Sequence, residues 1–218
     1  MLDLRQLRGP IPPDEATRRV GLPTPRAILR ERPALGKVML HVDSRGVSRR
    51  GTPGLGLPEP VPADGFAAAT PDLSILSVTR DAYLLVTPPN GQYGLIQRLR
   101  PLLVGSGAAI TDVSSGYAAF RLQGPAANEL LYRGCSTPLD APHFTTGQCM
   151  TTRVGKIAVI IHRFDDAPGF DMYVTRSLAL AFWTWLIHVG RDCGQATSVE
   201  GSDGTRCPGA GFSAPGGP

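Results

Sequence analysis

Four histidines, His41, His143, His162 and His188, and the adjacent pair Asp165-Asp166 are the side chains here most able to move a proton. Nucleophilic catalysis needs a Ser or Cys on a strained turn with a base and a carboxylate in reach. No G-x-S-x-G elbow occurs, and the histidines stand in unrelated contexts. His162 ends an apolar β-branched run and reads first as a core or edge histidine. Asp165-Asp166 precede Ala-Pro-Gly and read first as a solvated turn. Neither G-x-G-x-x-G nor G-x-x-x-x-G-K-[ST] is present, so no phosphate-cradling fingerprint is visible. The four cysteines, Cys135, Cys149, Cys193 and Cys207, form no CxxC and no Cys/His cluster. A zinc site is not expected, and reduced, mostly buried thiols in a cytoplasmic protein are. These residues define no active centre by themselves.

The elements that would position them begin after a long arm. Residues 1–64 hold ten of the 21 prolines and the whole charge excess, with eleven Arg/Lys against seven Asp/Glu; the remainder balances, within an overall net charge of +4. Prolines argue against a long helix or a central strand. Lys37–Asp43 is the convincing strand of this region, and the rest is expected to be extended and dispensable to the fold. The arm has no aromatic residue to stack on bases, so its arginines, Arg18, Arg19 and Arg26 among them, fit docking on an acidic protein partner at least as well as nucleic acid. The expected division is an N-terminal arm over 1–64, an α+β domain over 65–194 and a Gly/Ser/Pro-rich tail over 195–218.

Within the domain, alternation of apolar and polar residues predicts strands at Leu73–Thr79 and Phe170–Val174, β-prone runs predict them at Tyr83–Thr87, Ala108–Val113, Tyr117–Gln123 and Gly147–Val154, and the nearly continuous apolar run in Lys156–Phe164 predicts a strand covered on both faces. Helices are expected over Tyr93–Arg100, after Gly124-Pro125 as far as a left-handed cap at Gly134, and over Arg176–Cys193. Pro101 should end or kink the first of them. Ser114-Ser115-Gly116 and Gly155-Lys156 read as hairpin corners. The βαββαβ order points to an antiparallel sheet with helices packed on one face. In the last helix Leu178, Phe182, Trp185, Leu186 and Val189 form the expected inner stripe. Trp183 and Ile187 fall off it and are assigned to a partner interface. No apolar run is long enough to span a membrane, and the first residues carry no secretory signal.

The central part of the chain resembles the gamma subunit of heterotetrameric sarcosine oxidase. The likeness is carried by DAYLLVTP at 81–88, ITDVSSGYAAFRLQGPAANELLYRGCSTPLD at 110–140, FTTGQCMTTRVGKIAVIIHRFDDAPGFDMYVTRSLALAFWTWL at 144–186, and Gly194. The resemblance implies a fold similar to the folate-binding domain of aminomethyltransferases, the T-proteins of glycine cleavage. It implies alpha, beta and delta-type partner subunits that carry FAD, FMN, NAD and tetrahydrofolate, with no cofactor, metal or catalytic residue on this chain. The complex would demethylate sarcosine oxidatively and pass the one-carbon unit to tetrahydrofolate. T-proteins carry an acid shortly after a turn that matches Val154-Gly155-Lys156, whereas Ile157-Ala158-Val159 follow here. A general acid or base needs a titratable group within reach. If the chain were instead a self-standing folate enzyme, Asp112, Asp165 or Asp171 would have to supply the carboxylate. A related complex acting on N-methylglutamate is the other alternative.

Overall fold

The β-prone runs become strands, several of them buried on both faces, and apolar residues at steps of three and four become short helices. The computed structural model of the chain describes residues 9–12, 26–42, 65, 67–70, 72–140, 142–191 and 195–199. Eleven strands are described: β1 (Ala27–Glu31), β2 (Gly36–His41), β3 (Ala67–Thr70), β4 (Leu73–Thr79), β5 (Ala82–Thr87), β6 (Ala109–Asp112), β7 (Tyr117–Gln123), β8 (Cys149–Val154), β9 (Ile157–Asp165), β10 (Gly169–Thr175) and β11 (Gln195–Val199). The helices are α1 (Gly91–Leu99), α2 (Ala127–Tyr132) and α3 (Ala179–Gly190), with 3-10 turns at Arg100–Leu103 and Arg176–Leu178. Pro101 stops α1 as expected, and the chain continues as the 3-10 turn.

The strands divide between two sheets. One runs β11-β1-β7-β10-β9-β8, the other β3-β4-β5-β2-β6. Apolar residues cluster in three layers, one of them between the sheets. Phe120, Leu122, Phe170 and Met172 on one face of the six-stranded sheet meet Leu130, Phe182, Trp183 and Leu186 of α2 and α3. Its other face sets Ala119, Ile160 and Tyr173 against Met39, Leu76 and Leu84 of the second sheet. Val38, Leu40, Tyr83 and Leu85 then meet Leu95 and Leu99 of α1. The α+β class stands, and each sheet carries helices on its outer face, giving four layers.

The Ser114-Ser115-Gly116 corner is not a hairpin. It carries the chain from β6 in one sheet to β7 in the other. Ser114 Oγ accepts the Lys37 N–H at 2.9 Å and donates to Asp112 Oδ1 at 2.5 Å, while the Ser114 N–H donates to the same carboxylate at 2.9 Å. Those bonds turn the chain away from β6. Gly155-Lys156 is the true hairpin, with φ of 56° and 70° at its two central residues, the left-handed pair that a two-residue turn matched to strand twist requires.

The arm is less separate than its prolines suggest. β1 lies between β11 and β7, and β2 between β5 and β6, so the expected boundary at 64 cuts through both sheets. The described part of residues 1–35 therefore belongs to the fold. Ile11 is buried in the layer beneath α2 and α3. β11, from the expected loose tail, pairs in parallel with β1 at a sheet edge. Arg18, Arg19 and Gly194 lie outside the described residues.

Trp183 and Ile187 correct the interface assignment: they are 0% and 4% exposed, inside the domain core. The inner stripe of α3 is Ala179, Phe182, Trp183, Leu186, Ile187 and Gly190. Trp183 stacks at a tilt on Phe120, ring centres 5.7 Å apart. Leu178, expected inside, is 43% exposed and Leu180 44%. A helix apolar almost all round cannot state its own rotation; the recess over Phe120 decides it. Trp185 instead lies over the loops, where a Cβ on Gly134 would come within 2.2 Å of its ring. Gly134 is thus required for clearance, not as a left-handed cap, and it is absent from the residues of positive φ. Trp183→Ala should cost about 3–5 kcal/mol of stability in urea unfolding of the isolated chain, and Leu180→Ala less than about 1.

Candidate functional site

On the face of the six-stranded sheet that meets the second sheet, charged residues interrupt the apolar alternation. Arg121 of β7 stands opposite Asp171 of β10, Asp171 opposite His162 of β9, and His162 opposite Cys149 of β8. The alternation of FRL, FDM and IHR sends all three polar side chains to one face. They line a cleft of about 340 Å³ between the sheets, together with Arg32, Leu35, Ser74, Thr87, Phe164 and Tyr173, with the exposed Asp72 among its lining residues.

The Asp171 carboxylate is held by a fork. Arg121 Nε donates to Oδ1 and Nη2 to Oδ2, each at 2.7 Å, and Arg32 Nη1 lies 3.5 Å from Oδ2. The Arg121 guanidinium rests 4.1 Å from the centre of the Phe164 ring. Two parallel charge-assisted bonds are among the stronger polar contacts in a protein, and they fix both oxygens. His162 is buried beside this pair. Burial holds its pKa below the usual histidine value, Arg121 adds to that, and Asp171 opposes it. Burial first, then Asp171, drives the Tyr173 phenol well above its ordinary value. Cys149 is pushed up to about 12 by burial, and its thiol donates to Ser77 O at 3.3 Å. It is a neutral packing group rather than a nucleophile.

Of the carboxylates considered from the sequence, only Asp171 reaches the cleft. Asp112 is bonded at the Ser114 corner, Asp165 accepts the Ala167 N–H at 3.2 Å, and Asp166 accepts the Thr146 hydroxyl at 2.6 Å. Ile157 and Val159 pack toward α2 and α3, so the position after the Gly155-Lys156 turn places no acid in the cleft. His41, His143 and His188 are exposed and far from this row in the sheets. Arg26 is exposed, 4.0 Å from Glu129. Among the described residues there is no group of three or more His, Cys, Asp or Glu able to hold a metal, and Cys135 and Cys149 are free thiols. No helix of the described residues is long and apolar enough to cross a membrane. Sequence reasoning missed Arg32 and Arg121; the signal was an arginine inside an alternating run, paired in register with an aspartate in another.

The family whose profile matches residues 64–206 is the GCVT N-terminal domain. The mitochondrial pyruvate dehydrogenase phosphatase regulatory subunit of Mus musculus is 28% identical over 127 residues, which is 56% of this chain and 14% of that protein. In fold, the chain matches a chain of heterotetrameric sarcosine oxidase from Corynebacterium sp. U-96 with a TM-score of 0.74 at 22% identity, covering 87% of this chain and 97% of that one. Against glycine cleavage system aminomethyltransferase T from Bartonella henselae the TM-score is 0.56 at 14% identity, over 85% of this chain and 50% of that one.

Removing one partner of a buried pair leaves the other charge uncompensated. Asp171→Ala should destabilise the chain by about 3 kcal/mol, and Asp171→Leu combined with Arg121→Met should recover most of it, read by chemical denaturation. His162 has a folded pKa below its unfolded one, so the unfolded chain binds the extra proton. Wild type should therefore lose stability relative to His162→Gln as pH falls below about 6.5.

Proposed function

The chain belongs to the GCVT N-terminal domain family, and from that premise we propose that it is a non-catalytic gamma-type subunit of a sarcosine oxidase-like complex. The observation that carries this reading is the Arg121–Asp171 fork: the one buried carboxylate of the cleft has both oxygens committed to a neighbouring arginine. A folate-handling acid must be able to bond the ligand or take its proton, and this one is held by its own sheet. The fold match to a chain of a heterotetrameric sarcosine oxidase agrees with it. The chemistry then belongs to alpha, beta and delta-type partners in the cytoplasm. They carry FAD, FMN, NAD and tetrahydrofolate, demethylate sarcosine or a related N-methyl amino acid such as N-methylglutamate, and pass the carbon to tetrahydrofolate.

The cleft itself favours a second reading, a self-standing tetrahydrofolate-dependent enzyme, because its volume suits a small ligand. In the first reading Leu178 of the 3-10 turn, Leu180 on the outward side of α3, and Arg26 on the arm face a partner. Co-expressed with its flavoprotein partners, the chain should elute with them as one species in size-exclusion chromatography. Leu178→Asp with Leu180→Asp should lower the complex yield at least tenfold while leaving the chain's own unfolding midpoint unchanged. A chain that elutes alone beside its partners would contradict the subunit reading.

A further inference from the structure

Glu31 ends β1 and is 1% exposed, and among the described residues its Oε1 has no hydrogen-bond partner. Gly9 and Ile11 of the short segment Gly9–Pro12 lie against it. A Cβ on Gly9 would lie 2.2 Å from Oε1, so a larger residue there would have to displace the carboxyl from where it now lies. The Ile11 N–H donates to the carboxyl, and the Ile11 side chain is buried in the layer under α2 and α3. The segment reads Gly-Pro-Ile-Pro. Prolines on both sides of Ile11 leave few conformations to lose on docking, so a four-residue contact can hold.

We propose that Gly9–Pro12 is a strap closed over Glu31 and released when that carboxyl ionises. The groups that face Glu31 set the balance. Arg176, from the 3-10 turn after β10, and Lys37, from β2, favour the ionised form, as does the Ile11 N–H; burial opposes all three and is larger, raising the pKa to about 7. Lys37 is itself held down to about 8 by burial and then by Arg176, with Arg32 lowering it further and Asp112 and Glu31 opposing. With the strap closed, Glu31 binds its proton more tightly than the ordinary value of 4.5. With the strap open, water reaches the carboxyl and the affinity for the proton falls. Closure is thus fully favoured below the ordinary value, weakens by up to about tenfold per pH unit as pH rises toward 7, and is constant above it. Opening frees the strap and uncovers the apolar seat of Ile11.

Hydrogen exchange of the full chain between pH 5 and 8, corrected for the intrinsic pH dependence of exchange, reads this at the Ile11 amide. Wild type should lose protection there by up to about tenfold per unit below pH 7 and then level off, while the Met172 amide in β10 stays protected. Glu31→Gln should remove the slope at Ile11. A wild-type slope of zero, or a slope retained in Glu31→Gln, would overturn the proposal. Should Glu31→Gln not fold, Gly9→Ala tests the same contact. Its methyl cannot share space with the carboxyl, so Ile11 should be unprotected at every pH with Met172 unchanged; protection kept at Ile11 would equally overturn it.

Discussion

A carboxylate buried between two sheets must be neutralised where it stands, and Arg121 does this for Asp171. The pair sits at one register position of β7 and β10. A one-residue slip of β10 against β7 would point Asp171 into the apolar layer under α2 and α3 while Arg121 stayed on the cleft face, leaving the charges unpaired. The fork therefore specifies the register at the centre of the six-stranded sheet. Its consequences spread outward. The guanidinium lies on Phe164, His162 stays in a buried place next to two opposed charges, and Arg32 ties the chain just after β1 to the same carboxylate. A ligand would have to compete with this arrangement to enter the cleft as a partner of Asp171.

The strands were legible as short β-prone runs bounded by turn residues; with each sheet covered on both faces, β5, β9 and β10 are buried almost throughout and show little alternation. β4 and β7 fall where those runs place them, residue for residue. β1 was hidden by proline density: Ala27–Glu31 fits between Pro25 and Pro33, and a count over the arm passes over that gap. The Ser114 corner was misread for a different reason. Ser-Ser-Gly between two β-prone runs satisfies local turn rules, but the bonds that decide its path go to Lys37, 77 residues away. The rotation of α3 belongs to the same class. Its sequence permits several apolar stripes, and the choice is made by Phe120 on the sheet and by two glycines that yield space to Trp185.

The candidate site was half legible. His162, Asp171 and the missing acid after Gly155-Lys156 could each be named, and each looked innocent alone. Their meaning lies in β7, β9 and β10 standing side by side, which is a property of the topology and not of any segment. The family frame is present, and within it the cleft's carboxylate has both oxygens bonded to Arg121. The arm shows the converse. A region read as an appendage supplies an interior strand to each sheet and, through Ile11, a piece of the core.

Calorimetric titration of the purified chain with tetrahydrofolate tests the central claim most directly, because it asks whether the cleft holds a ligand with Asp171 in its fork. The account predicts no saturable heat at millimolar ligand. Saturable binding that is lost in the Asp171→Leu, Arg121→Met double variant would contradict it.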